Sequence, residues 1–153
     1  MPAVRTILHP TDFSEHSKYA LWVASQLARD QGARLILMHV VPASEPGPTG
    51  IPASAVLVPE RAEQEVKAYR EEMRARLRQL APDAKVAVEH RLEEGPVAKI
   101  ILRTAEETPC DLVVMGTHGK SRGEQLMLGS VAEEVTRQAT CPVIAVKMPS
   151  AAR

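Results

Sequence analysis

The stretch Met115–Ser130, "MGTHGKSRGEQLMLGS", sets four glycines between an apolar run, "DLVVM" (111–115), and a segment of helical period, "VAEEVTRQA" (131–139). Glycine loses more backbone freedom on folding than any other residue, so a run this rich in it implies close approach to the main chain. Gly116 and Gly119 follow the apolar run, nine residues intervene, and Gly129-Ser130 opens the helical segment. A glycine turn after a strand, together with the unpaired N–H groups of a helix N-terminus, makes an anion site. The helix dipole alone adds about 0.3–1 kcal/mol for a fixed charge there. Ser130 reads in two ways, as the N-cap of its own helix or as a hydroxyl donor to a phosphate oxygen. Lys120 and Arg122 are placed to add positive charge. Taken singly, each of these residues is explained by turns, caps and solvation; the ordered set favours phosphate. The spacing is neither GxxxxGK[ST] nor GxGxxG, and Gly123 lies outside it.

Outward from this stretch, apolar runs of strand length alternate with helical patterns. "AVRTILH" (3–9) ends at Pro10, and residues 14–31 carry Ala20, Leu21, Ala24, Leu27 and Ala28 at helical spacing. "RLILMHVV" (34–41) is nearly all apolar, as expected of a strand covered on both faces. A Pro/Gly/Ser-rich loop follows over 42–55. Residues 60–80 read as a helix with Val66, Tyr69, Met73, Leu77 and Leu80 as its stripe. "KVAVEHRL" (85–92) alternates like a strand with one wet face, and Gly95-Pro96 opens a helix carrying Val97, Ile100, Ile101 and Ala105. A helix over 130–139 and "PVIAVK" (142–147) complete the series. Five strands joined by four helical crossovers predict an α/β fold with an open parallel sheet and helices on both faces. One domain over 1–148 with a frayed tail at 149–153 is expected.

The other candidate segment is "HPTDFSE" (9–15), at the end of the first strand. Asp12 with Glu15 three residues on makes a capping-box arrangement. Alternatively Ser14 caps, leaving the Asp12 carboxylate to face a ribose or a phosphate-bound metal. His118, beside Gly119, is either a donor to a ligand or simply solvated. His9, His16, His39 and His90 are not at metal-ligand spacings and read as structural.

The 153 residues carry 19 basic and 19 acidic side chains, a formal net charge of zero. That balance gives no general attraction to nucleic acid or anionic membrane. One Phe, two Tyr and one Trp leave little for stacking bases. Two cysteines, Cys110 and Cys141, read as small buried hydrophobes rather than a disulfide frame. With no apolar leader and no run near the ~20 residues of a membrane span, a soluble cytoplasmic protein is expected.

Gly116-x2-Gly119-x9-Gly129-Ser130 is the G-2x-G-9x-G-[S/T] pattern of the ATP-binding branch of the universal stress protein (UspA-like) family, which the chain resembles over residues 3–148. "PTDFS", "LMHVV", "DLVVMGTHG", "LGSVAEEV" and "CPVIAV" are similar to family sequence as well. The resemblance implies sheet order 3-2-1-4-5, Rossmann-like, with two helices on each face. It implies Pro10, Thr11 and Asp12 on the adenosine side, Asp12 meeting ribose or metal, and Val40 meeting the adenine edge through its backbone. Met115 and Gly116 would lie against adenine and ribose. His118, Gly119, Lys120 and Ser121 would approach the phosphates, and Gly129, Ser130, Val131 and Ala132 would close around them. Ala132 lacks the hydroxyl that relatives often carry there, which lowers the expected affinity. ATP, ADP or AMP with Mg or Mn is the implied ligand.

"PVIAV" would be an edge strand, yet it is continuously apolar, which invites pairing with a second copy. Family members typically dimerise in that way, so a homodimer through 142–147 is expected. The resemblance implies a nucleotide-binding stress-response regulator or sensor acting on a protein partner still to be identified. A slow ATPase, autokinase or nucleotidyl transferase in the same cleft is the alternative, although no pair of residues reads as base and nucleophile. A nucleotide-free interaction module is a third reading, disfavoured by the intact glycine pattern.

Overall fold

A computed structural model of the chain describes residues 3–42, 59–117 and 129–149. Its strands are β1 (Thr6–Pro10), β2 (Arg34–Val41), β3 (Val88–Glu94), β4 (Leu112–Gly116) and β5 (Val143–Val146). Its helices are α1 (Glu15–Gln31), α2 (Pro59–Gln79), α3 (Val97–Glu107) and α4 (Ser130–Gln138). The strands form one parallel sheet in the order β3-β2-β1-β4-β5. This is the Rossmann-like order that the resemblance implies.

Strand alternation divides the core in two. Ile7, Leu35, Leu37, Leu112 and Val114 face α1 and α2, where Ala20, Ala24, Ala28, Met73 and Leu77 cover them. Leu8, Ile36, Met38, Val40, Val113 and Met115 face α3 and α4, under Ala98, Ile101, Ala105 and Val135. Two helices therefore cover each face. β1 and β2 are buried on both sides, which is why their sequences are mostly apolar, with the polar exceptions Thr6, His9 and His39 buried too.

β3 begins three residues later than the alternation of 85–92 predicts. Asp83 builds a turn there, its carboxylate accepting from Lys85 N–H at 2.9 Å and its carbonyl from Val86 N–H at 3.0 Å. The strand then runs on to Glu94, past the predicted end.

Asp111 ties the start of β4 to the start of β1. Its Oδ2 accepts from the N–H groups of Arg5 and Thr6, both at 2.9 Å. Asp111→Ala leaves two main-chain donors without that acceptor. The expected cost is about 1–2 kcal/mol in urea unfolding, with Asp111→Asn losing less.

Candidate functional site

The chain order reverses beside β1, between it and β4, and open α/β sheets place ligands at the carboxyl ends of the strands at such a point. The β1–β4 ladder ends at the pair Leu8–Val113. Pro10 has no N–H to continue it. The Val114 carbonyl instead accepts from His9 Nδ1 at 2.8 Å, which fixes the neutral Nδ1–H tautomer. The ring is fully buried, and its Nε2 has no hydrogen-bond partner among the described residues. Burial lowers the His9 pKa from 6.5 to about 4, against the opposing pull of the Val114 carbonyl and the Asp12 carboxylate.

Thr11 clasps the turn that follows. Its N–H donates to the Met38 carbonyl at 2.8 Å, and its own carbonyl accepts from His39 Nδ1 at 2.7 Å. Its Oγ1 accepts from the Phe13 N–H at 3.0 Å and from the Ser17 hydroxyl at 2.6 Å. Phe13 has φ 67°, in the left-handed region that residues with a Cβ rarely adopt. Ser14 is the N-cap of α1, its Oγ accepting from Ser17 N–H, while Asp12 Oδ1 accepts from Ser14 N–H at 2.9 Å. Of the two sequence-based alternatives, the structure takes the second for the cap. Asp12 is half-buried at the turn between β1 and α1.

Hydrogen-bond parity sets which main-chain groups look into the gap beyond Pro10. The Thr11–Met38 bond turns Met38, and with it Val40, toward β1, while the Gly95 N–H on the Val41 carbonyl turns the alternate residues toward β3. In β4, Val113 N–H on Pro142 and Thr117 N–H on Val146 direct the odd-numbered residues to β5. Gly116 therefore faces the β1 side. The β1 register ends at Pro10–Met38 on one side and at Leu8–Val113 on the other, so neither Val40 nor Gly116 has a β1 residue in register with it. Met115 turns its main chain to β5 and buries its side chain in the α3/α4 core.

Gly116 owes its identity to space. A Cβ there would stand 3.3 Å from the carbonyl carbon and oxygen of His16, in the first turn of α1. Beyond it, the Thr117 carbonyl accepts from Gly129 N–H at 2.5 Å, which brings the start of α4 back beside the end of β4.

Gly129, not Ser130, is the N-cap of α4, and no side chain caps the helix. This corrects the capping role entertained for Ser130, which is instead the first helical residue and is exposed. Gly129 has φ −64° and ψ 156°, a conformation open to any residue, so backbone conformation does not explain its glycine. The first intrahelical bond is Glu133 N–H to the Gly129 carbonyl at 2.9 Å. The N–H groups of Ser130, Val131 and Ala132 consequently have no acceptor within the helix. Ala132 packs its methyl into the core, so its main chain alone is available to the site.

His118, Gly119, Lys120 and Ser121 lie outside the described residues. Among the described residues no three or more His, Cys, Asp or Glu side chains are grouped to hold a metal ion. Cys110 and Cys141 are free thiols, buried and half-buried; burial raises both pKa values, that of Cys110 to about 11.

Sequence reasoning did not single out His9, Phe13, Ser17 or His39 for the site. The available signal was Pro10: a proline at a strand end deletes a ladder donor, and the histidine before it supplies one.

The universal stress protein family model matches residues 3–147. The universal stress protein MJ0531 of Methanocaldococcus jannaschii is 35% identical over 145 residues, covering 95% of this chain and 83% of that protein. The solved structure of MJ0577, from the same organism, superposes with a TM-score of 0.80 at 25% identity, covering 98% of this chain and 100% of that one. A universal stress protein solved in complex with cAMP superposes with a TM-score of 0.60 at 26% identity, covering 95% and 98%. This chain belongs to the universal stress protein family.

Proposed function

We propose that this single-domain chain binds an adenine nucleotide in the gap between β1 and β4. It acts there as a cytoplasmic stress-response regulator or sensor whose nucleotide state alters a protein partner. The observation that carries the proposal is the bare start of α4. Three main-chain N–H groups without helical acceptors, and without a capping side chain, lie beside the Gly116 peptide at the sheet's switch point. Such an N-terminus suits phosphate. The N–H and C=O of residue Val40 point to the same side of its strand as a donor and an acceptor, which matches adenine N1 and N6. The solved relative in complex with cAMP supports an adenine ligand.

In this reading Pro10, Thr11 and Asp12 line the ribose side, with the Asp12 carboxylate meeting a hydroxyl or Mg or Mn carried on the phosphates. His118, Gly119, Lys120 and Ser121 belong to the phosphate side. Small molecules released from the purified protein, identified by mass spectrometry, are expected to include an adenine nucleotide. An excess of adenine nucleotide added to the purified protein and left unbound would overturn the proposal.

The proposed homodimer rests on β5. It stands at the sheet edge and exposes Ile144, at 38%, beside unpaired main-chain groups. Ile144→Asp puts a charge on that edge. A dimer dissociation constant raised tenfold or more, about 1.4 kcal/mol, is expected in sedimentation. An unchanged association would place the interface elsewhere.

A further inference from the structure

We propose that Arg76, on α2, is a positioning residue for the nucleotide site. Through the Phe13 ring it holds the turn that carries Asp12, so ligand affinity depends on a side chain with no ligand contact. The inference rests on the nucleotide reading above.

The turn is built on a conformation its residue resists. Phe13 at φ 67° is the one non-glycine residue with positive φ among those described. Such a backbone persists only where its surroundings over-determine it. Three contacts do so here. The Phe13 N–H is held by Thr11 Oγ1 at 3.0 Å. The buried ring lies against the His39 ring, with centroids 4.5 Å apart and planes tilted by 44°. The Arg76 guanidinium carbon stands 4.2 Å from the Phe13 centroid, a cation–π distance. Among the described residues Arg76 makes no ion pair, so the ring face is the partner its charge has.

These contacts converge on Asp12. Its carboxylate accepts from Ser14 N–H, and Ser14 caps α1. If Phe13 relaxed to negative φ, the Asp12–Phe13 peptide would rotate, and both bonds would be drawn out of line. His39, which touches the same ring, also donates to the Thr11 carbonyl. Removing the cation from the ring therefore lowers the fraction of molecules whose turn is ready for ligand. Apparent affinity falls by that fraction.

The test titrates ATP and AMP, with Mg, into the native chain, three single variants and one double variant by calorimetry. Arg76→Met keeps an unbranched stem and removes the charge; Arg76→Lys restores the charge; Phe13→Gly accepts φ 67° with no ring to hold. Arg76→Met is expected to weaken binding about three- to tenfold, within the range of a partly desolvated cation–π contact. Arg76→Lys recovers most of that loss. In the Phe13→Gly background, Arg76→Met has no further effect. Affinity unchanged in Arg76→Met overturns the inference and leaves the nucleotide reading standing. So does an equal loss with and without the Phe13 ring. A native chain that takes up neither nucleotide overturns both.

Discussion

Gly129→Val is expected to abolish nucleotide binding, by at least about a hundredfold or about 3 kcal/mol, while leaving the fold intact. Gly129 occupies an extended conformation that valine adopts readily, so the variant has no backbone reason to misfold. An N-cap side chain, however, lies over the N–H groups of the second and third helical residues. Here these are Val131 and Ala132, and the space over them is where a phosphate would sit. Valine fills it with methyl groups that cannot donate or accept. The stability cost should stay within about 1 kcal/mol, since valine is a poor cap but glycine supplies no side-chain bond either. Ser130→Ala, which removes one hydroxyl and no main-chain donor, should cost tenfold or less. Calorimetric titration of both variants separates the two effects. Retained affinity in Gly129→Val would show that the ligand does not use this helix end.

The second large effect is acid lability from His9. Its imidazole titrates near 6.5 when unfolded and at about 4 in the fold, because burial disfavours the charged form. A proton on Nε2 would be a buried donor with no acceptor among the described residues. Between those pH values the unfolded chain binds more protons than the folded one, so stability falls as pH falls through that window. The full contribution is present above pH about 6.5. Roughly 3 kcal/mol of it is lost by pH about 4, with no further change below. His9→Asn keeps an N–H for the Val114 carbonyl but has nothing to titrate. Urea unfolding of the two proteins should show a stability difference that shrinks steadily from pH 7 to pH 4.5. Parallel pH profiles would mean that His9 is not buried in its neutral form.

Strand identity was legible because burial on both faces leaves a clear mark, whereas the sheet order came from the family resemblance and not from the residue pattern. "RLILMHVV" has no polar interruption except His39, and β2 occupies those residues without shift. Edges were less legible. At β3, alternation starting from Lys85 looked like strand, but Asp83 hydrogen-bonds its own following residues and delays the ladder to Val88. The same local competition decided the turn after β1. Asp12 and Ser14 are both good caps, and only the geometry of Thr11 and Phe13 selects Ser14. Phe13 itself carried no warning, because sequence does not mark a bulky residue held at positive φ by tertiary contacts. Ser130 misled in the opposite direction: a serine at a helix start reads as a cap, yet Gly129 holds that position. The glycines were legible as a set because their spacing brackets the gap, although Gly119 and the side chains of 118–121 lie outside the described residues.

The most direct test of the nucleotide site is a crystal structure of the native chain grown with ATP and Mg. The account predicts phosphate oxygens on the N–H groups of Ser130, Val131 and Ala132, with the base between the Val40 and Gly116 peptides. A nucleotide bound elsewhere on the molecule, or the start of α4 covered by the chain's own side chains, would contradict it.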